Sequence, residues 1–271
     1  MINAAITRGF DLFFGPFARA NPWLGIVAIS LLSGLLLLLI FRYTSNQRGI
    51  RAAKDRIIAH LLAVWLYRDE LSVVLRSQAG VFVDDLRYLG YALVPVACMI
   101  LPAGIFLLQT DLRYGHRPLR VGEQAIVAAQ IRPEAGPVDD VTISAPPGIR
   151  VETPALRMPA LGEVDWRVRA VAPGRHELRF AVQGVEFTKE IVVGDHMTRV
   201  APRRVDDGVW PQLLNPGEPP LAAAGPAAWV EVSYPDAPLH LRGWRMHWIW
   251  PWLVLSLIFG YALKGPLRVQ V

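Results

Sequence analysis

The pattern of apolar and polar positions changes character along the chain. Three long uncharged runs stand out: Pro22–Phe41 (PWLGIVAISLLSGLLLLLIF), Tyr88–Leu108 (YLGYALVPVACMILPAGIFLL) and Met246–Leu263 (MHWIWPWLVLSLIFGYAL). The first two hold 20 and 21 residues. At about 1.5 Å per residue, such runs match a hydrocarbon core about 30 Å thick. They predict transmembrane helices at 22–41, 88–108 and 246–263. Trp244, Trp248, Trp250 and Trp252 crowd the start of the third run, as an interfacial aromatic belt does. Pro95 and Pro102 are the expected kink positions in the second.

Between the first two runs, residues 42–87 carry a helical period. Ile50, Ala53, Ile57, Leu61 and Val64 recur at spacings of three and four, and YRDELS interrupts them. A second helical pattern follows through Leu71, Val74, Leu75, Gln78, Val81 and Phe82 and enters the second run without a Gly-Pro break. This predicts a helical hairpin whose second arm covers the apolar stripe of the first. Ahead of the first run, residues 1–21 concentrate Phe10, Phe13, Phe14 and Phe17, the composition of a short interfacial amphipathic helix.

From Pro118 the period becomes two. Leu119, Val121, Ala125, Val127 and Ala129 alternate, then Val141 and Ile143, then Val164, Trp166 and Val168, then Leu178, Phe180 and Val182, then Val185, Phe187, Ile191 and Val193. Pro146-Pro147-Gly148, Pro173-Gly174 and Gly184 punctuate them. Residues 117–194 are therefore expected to form an antiparallel β-sandwich with Trp166 in its core. Residues 195–245 are Pro-rich and read as an extended connector with one strand candidate, AAWVEVSYP. The fold class expected is thus a multi-pass α-helical membrane protein with three spans, a helical hairpin and an inserted all-β sandwich domain.

Composition supports the lipid reading. Hydrophobic residues make up 53% of the 271, and charged residues only 19%, against about 25% in soluble domains. The sequence pI of about 9.6 does not point to nucleic acid, because the basic residues cluster beside the apolar runs. Arg8 and Arg19 precede the first run, whereas Arg42, Arg48, Arg51, Lys54 and Arg56 follow it. The positive side stays cytoplasmic, which puts the N-terminus outside, 42–87 inside and the sandwich outside. Lys264 and Arg268, in the tail 264–271, place the C-terminus inside; Arg242 and Arg245 on the outer flank vote the other way. Arg48, Arg51, Lys54 and Arg56 are the candidate contacts to anionic lipid or to a client chain.

Catalytic chemistry is not signalled. No P-loop, GxGxxG, GxSxG, HExxH or EF-hand pattern occurs. The single cysteine, Cys98, makes no internal disulfide and no CxxC site. His60, His116, His176, His196, His240 and His247 lack metal-ligand spacing. A non-enzyme without cofactor or metal is expected.

Two resemblances follow from these residues. An outside N-terminus, a span, a basic helical hairpin and a returning span resemble the YidC/Oxa-type membrane insertases, and LRSQAGVFVDDLRYLGYALVP is similar to the entry into their second core span. The resemblance implies a polar, cytoplasm-facing groove that helps nascent membrane segments enter the bilayer. Ser30, Ser33 and Ser256 are the polar candidates for that groove, although serines in spans more often pack or bond to their own helix carbonyls. No span holds an internal charge, and a long insertion separates the second span from the third, both unlike that group. The stretch APGRHELRF resembles bacterial immunoglobulin-like domains. Together with the Arg bias, in which Lys54, Lys189 and Lys264 are the only lysines among 28 basic residues, it implies a bacterial inner-membrane location. The leading expectation is an envelope scaffold or interaction protein whose partners are the bilayer and a protein bound by the outer domain. The alternative is an insertase-like helper for membrane segments.

Overall fold

The structure, a computed structural model, describes residues 2–18, 20–267 and 269. Arg19 and Arg268, both used above for orientation, lie outside the described residues. The elements run α1 (Ile2–Phe14), α2 (Pro22–Thr44), α3 (Gln47–Leu66), α4 (Leu71–Tyr114), β1 (Gln124–Ile131), β2 (Thr142–Ser144), β3 (Ile149–Val151), β4 (Leu156–Met158), β5 (Glu163–Ala170), β6 (Gly174–Val182), β7 (Val185–Val193), β8 (Arg203–Val205), α5 (Val209–Leu214), β9 (Ala227–Val232), β10 (Leu239–Leu241), β11 (Trp244–Met246) and α6 (Ile249–Lys264). They divide into two compact units. A β-rich unit comprises 1–25 and 107–248, and a helical unit comprises 26–106 and 249–271.

Among the described residues, two helices are long and apolar enough to cross a membrane, α2 with 23 residues and α4 with 44. The third run forms only the 16-residue α6, shorter than the roughly 20 residues a span needs. It is shorter than expected because Met246 still pairs with Leu239 in the β10–β11 hairpin. Arg242 and Gly243 turn that hairpin with φ of 47° and 89°, the left-handed pair of a tight two-residue loop.

In the helical unit, Asn46 caps α3 by accepting from the Gly49 N–H at 2.9 Å. The hairpin forms as expected, and its second arm runs unbroken through the second apolar run as α4. The face that α4 turns toward α3 differs from the expected one. Ser77 and Asp84 are buried and Val74 and Val81 half-buried, whereas Leu71, Leu75 and Phe82 are exposed. Asp84 sets this rotation: Arg56 Nε donates to it from α3 at 2.9 Å, and His60 Nε2 lies 3.5 Å away. Gly80 makes room for the His60 ring, since a Cβ there would lie 2.6 Å from it.

The β unit is built from two antiparallel sheets around one apolar core. The larger has the order β3-β5-β1-β9-β8 with β4 also on β5; the smaller is β2-β6-β7. Alternation buries Val127 and Ala129 of β1, Val164, Trp166 and Val168 of β5, and Leu178, Phe180 and Val182 of β6. Gln183 and Gly184, with φ of 49° and 81°, close the β6–β7 hairpin. The sheet does not stop at residue 194. β9 lies between β1 and β8, so the Pro-rich region expected to be a connector supplies an interior strand, a second strand and the short α5. Val230 and Val232 enter the common core, which is the reason this segment is held in the sheet. The N-terminal α1 is part of this unit: Thr7 Oγ donates to the Pro216 carbonyl at 3.4 Å, and Asn3 Nδ2 donates to the Gln212 carbonyl at 2.9 Å.

Candidate functional site

The three candidate groove serines come together in the helical unit, where Ser30 and Ser33 are closed off and Ser256 borders an adjoining cavity. Ser30 and Ser33 on α2 are fully buried and Ser256 on α6 nearly so. Ser256 Oγ donates to the Trp252 carbonyl at 2.6 Å, Ser33 Oγ to the Ser30 carbonyl at 3.2 Å, and Ser30 Oγ to the Trp252 carbonyl at 3.4 Å. Each hydroxyl therefore satisfies itself on helix backbone, two of them on their own helix. Their small size also lets α2 and α6 approach. A Cβ at Gly34 would lie 2.8 Å from the Ser256 carbonyl oxygen. The adjoining cavity, about 270 Å³, is lined mainly by Leu37, Leu38, Phe41, Met99, Leu253 and Leu257, with Ser256 and Tyr261 as its hydroxyl-bearing residues. A lining of that kind suits acyl chains or apolar side chains better than a polar segment in transit.

The four basic candidates on α3 divide. Arg48 and Arg51 are exposed. Lys54 lies over the Tyr88 ring at 5.6 Å, and Arg56 pairs with Asp84, which Arg87 also reaches at 3.0 Å. Pro95 and Pro102 both sit inside α4, whose helical assignment continues through them.

In the β unit, Trp166 is buried, with its ring 5.6 Å from Phe180. The unit's most enclosed charge is Lys189 on β7, fully buried and paired with Glu218; its Nζ also donates to the Ala201 carbonyl at 2.7 Å. Burial pushes the Lys189 ammonium below its ordinary value, and Glu218 opposes that shift. This pair fastens the segment after β7 to the sheet. A second ionic group joins α1 to the end of α4. Asp11 accepts from Arg113 and, at 2.8 Å, from Arg199. Gln109 Nε2 donates to Thr7 Oγ at 2.9 Å in the same cluster. These groups border a cavity of about 220 Å³ with Phe14, Phe17 and Tyr114 on its apolar side.

Sequence reasoning missed Lys189, although a signal was present. It holds an inward position in the alternation Phe187, Lys189, Ile191, Val193, where a charge requires a buried partner. It also missed the exposed apolar end of α5. Val209, Trp210 and Leu214 are exposed there, Trp210 to 72%. Among the described residues, no group of three or more His, Cys, Asp or Glu side chains is placed to hold a metal ion. A comparison with protein-family models finds no match, and a search of curated proteins finds none either.

Proposed function

We propose that this chain is a non-catalytic integral membrane protein of the bacterial inner membrane that acts as an envelope scaffold. Its helical unit anchors it, and its β unit, immunoglobulin-like in kind, is presented on the periplasmic side to dock a protein partner. The membrane part of this reading is supported by α4: only 11% of its most apolar window is buried, unlike the core helix of a soluble protein. The charge count favours an N-terminus outside and a C-terminus in the cytoplasm.

The observation that carries the scaffold reading is the exposed Val209, Trp210 and Leu214 on α5. An exposed aromatic with aliphatic neighbours is the anchor that a protein interface uses. The insertase-like reading needs several hydroxyls open to a groove; of the three serines only Ser256 borders the cavity, whose lining is mainly apolar, and all three hydroxyls are bonded to backbone. The test is photocrosslinking from probes at Trp210 and at Arg51 in the intact protein, with identification of the adducts. A discrete partner caught from Trp210 is expected. Newly made membrane segments caught from Arg51, with nothing caught from Trp210, would overturn the scaffold reading in favour of the insertase-like one.

A further inference from the structure

The face of α4 turned away from α3 carries its own repeat. Ser72, Leu75, Ala79, Phe82, Leu86, Leu89, Leu93, Val96 and Ile100 follow one another at alternating spacings of three and four. Every one of them is exposed. These are the a and d positions of a seven-residue repeat sustained over four heptads. A lipid-facing surface requires only that side chains be apolar and imposes no period. Before Tyr88 the stripe is bordered by Arg76, Gln78 and Asp85, which narrow it to a seam, and by the exposed Val83, which extends it on one side. A straight helix drifts by about 20° per heptad against such a repeat, so keeping a seven-residue period implies a partner helix wound around it.

We infer that α4 pairs with α4 of a second copy along residues 72–100, as a parallel two-stranded coil that makes the protein a homodimer. Length and register select this occupant. At about 1.5 Å per residue the seam runs about 43 Å, and a second α4 matches it position for position across a two-fold axis. The seven large seam side chains are 46% to 67% exposed. Together they offer on the order of 700 Å² per copy, close to the roughly 800 Å² that each partner contributes to a standard interface.

The half of the seam inside the apolar run has a second feature suited to close packing. Gly90, Ala97 and Gly104 recur every seven residues beside it, and nothing lies within 4 Å of a Cβ built on Gly90 or Gly104. Small residues let helix backbones approach in lipid, where apolar surface alone gives no drive to associate. Pro95 and Pro102, seven apart, fall at one off-seam position of the repeat, and Cys98 falls on the opposite side. Neither proline removes a seam side chain.

The anchoring of residues 88–100 in lipid rests on the membrane reading; the seam between 72 and 86 does not. The test is oxidative disulfide crosslinking of the full-length protein in its native membranes, in a Cys98→Ala background. Phe82→Cys, Leu89→Cys and Val96→Cys occupy successive d positions. Arg87→Cys, Val94→Cys and Leu101→Cys occupy b positions that are equally exposed. A disulfide-linked dimer is expected at all three d positions, with loss of that band at all three b positions. Uniform crosslinking, none at all, or a band at a single d position (the mark of an antiparallel pair) would overturn the parallel dimer. Release of the protein by carbonate, with the d-position bands retained, would refute the membrane reading and leave the seam standing.

Discussion

The β unit and the helical unit use their apolar residues in opposite ways. In the β unit, alternating strands turn Val127, Val164, Trp166, Phe180 and Val230 into one closed core, and its buried ammonium, Lys189, has a carboxylate partner. In the helical unit, Val27, Leu31, Leu32 and Leu36 of α2 and Leu93, Val94, Ile100 and Leu101 of α4 remain exposed. The first unit therefore carries its driving force for folding within itself. The second requires an apolar surrounding, whether lipid or another helix, to cover surface that water disfavours.

The sharpest way to break this contrast is to excise the β unit. A fragment spanning 115–236 contains both sheets and should unfold cooperatively in aqueous buffer. The shorter fragment 117–194 lacks β9, which lies between β1 and β8. It leaves one side of β1 unpaired and should show no cooperative transition by circular dichroism. Cooperative folding of the short fragment would mean that β9 is dispensable.

Within the longer fragment, Trp166→Ala should cost about 3–5 kcal/mol, as removal of a fully buried indole does. Glu218→Ala should cost a similar 3–5 kcal/mol, because it strands the Lys189 ammonium without its counter-charge. Replacing both partners, Lys189→Met with Glu218→Leu, should recover most of that loss. Denaturant midpoints measure all three, and a double variant no better than Glu218→Ala would refute the pairing argument.

In the helical unit the contrast predicts tolerance on exposed faces and strictness where helices meet. Gly34→Leu pushes a side chain into the Ser256 carbonyl and should cost about 1–3 kcal/mol. Val94→Ala, on an exposed face, should stay within about 0.5 kcal/mol. Thermal aggregation of the purified protein in detergent micelles ranks the two.

The smallest effect is titration in the β unit. Arg117 donates to Glu123 through both guanidinium nitrogens, at 2.8 and 2.9 Å, and holds its carboxyl below the ordinary value of 4.5. On acidification the unfolded chain takes up this proton first. The stability contributed by the pair is complete above the ordinary glutamate range and is lost as pH falls through the lower folded value. Glu123→Gln should flatten the acid limb of the stability profile slightly and leave the neutral region nearly unchanged apart from the lost pair.

How much of this was legible in the sequence depended on whether a local period dictated the outcome. The alternation through Val164, Trp166 and Val168, and through Leu178, Phe180 and Val182, is buried as read. The hairpin of α3 and α4 also follows its period, but the rotation of α4 does not. Asp84 lies outside the apolar period, and its bond to Arg56 28 residues away turns it inward. β9 was read only as a strand candidate because prolines surround it, and its place beside β1 depends on contacts about 100 residues distant. The start of α6 was set too early for a similar reason, since pairing of β11 with β10 holds Trp244–Met246 extended. For the candidate site, the serine positions were legible and their hydroxyl partners were not, because a carbonyl acceptor leaves no mark in the sequence.

The central claim of the proposal is that the chain crosses a membrane, with position 142 outside and position 70 inside. Single cysteines at the exposed Glu70→Cys and Thr142→Cys positions, each in a Cys98→Ala background, report this directly with a membrane-impermeant thiol reagent on intact spheroplasts. Labelling of position 142 with protection of position 70 until the cells are lysed is the result predicted. Labelling of position 70 with protection of position 142, or equal labelling of both, would contradict it.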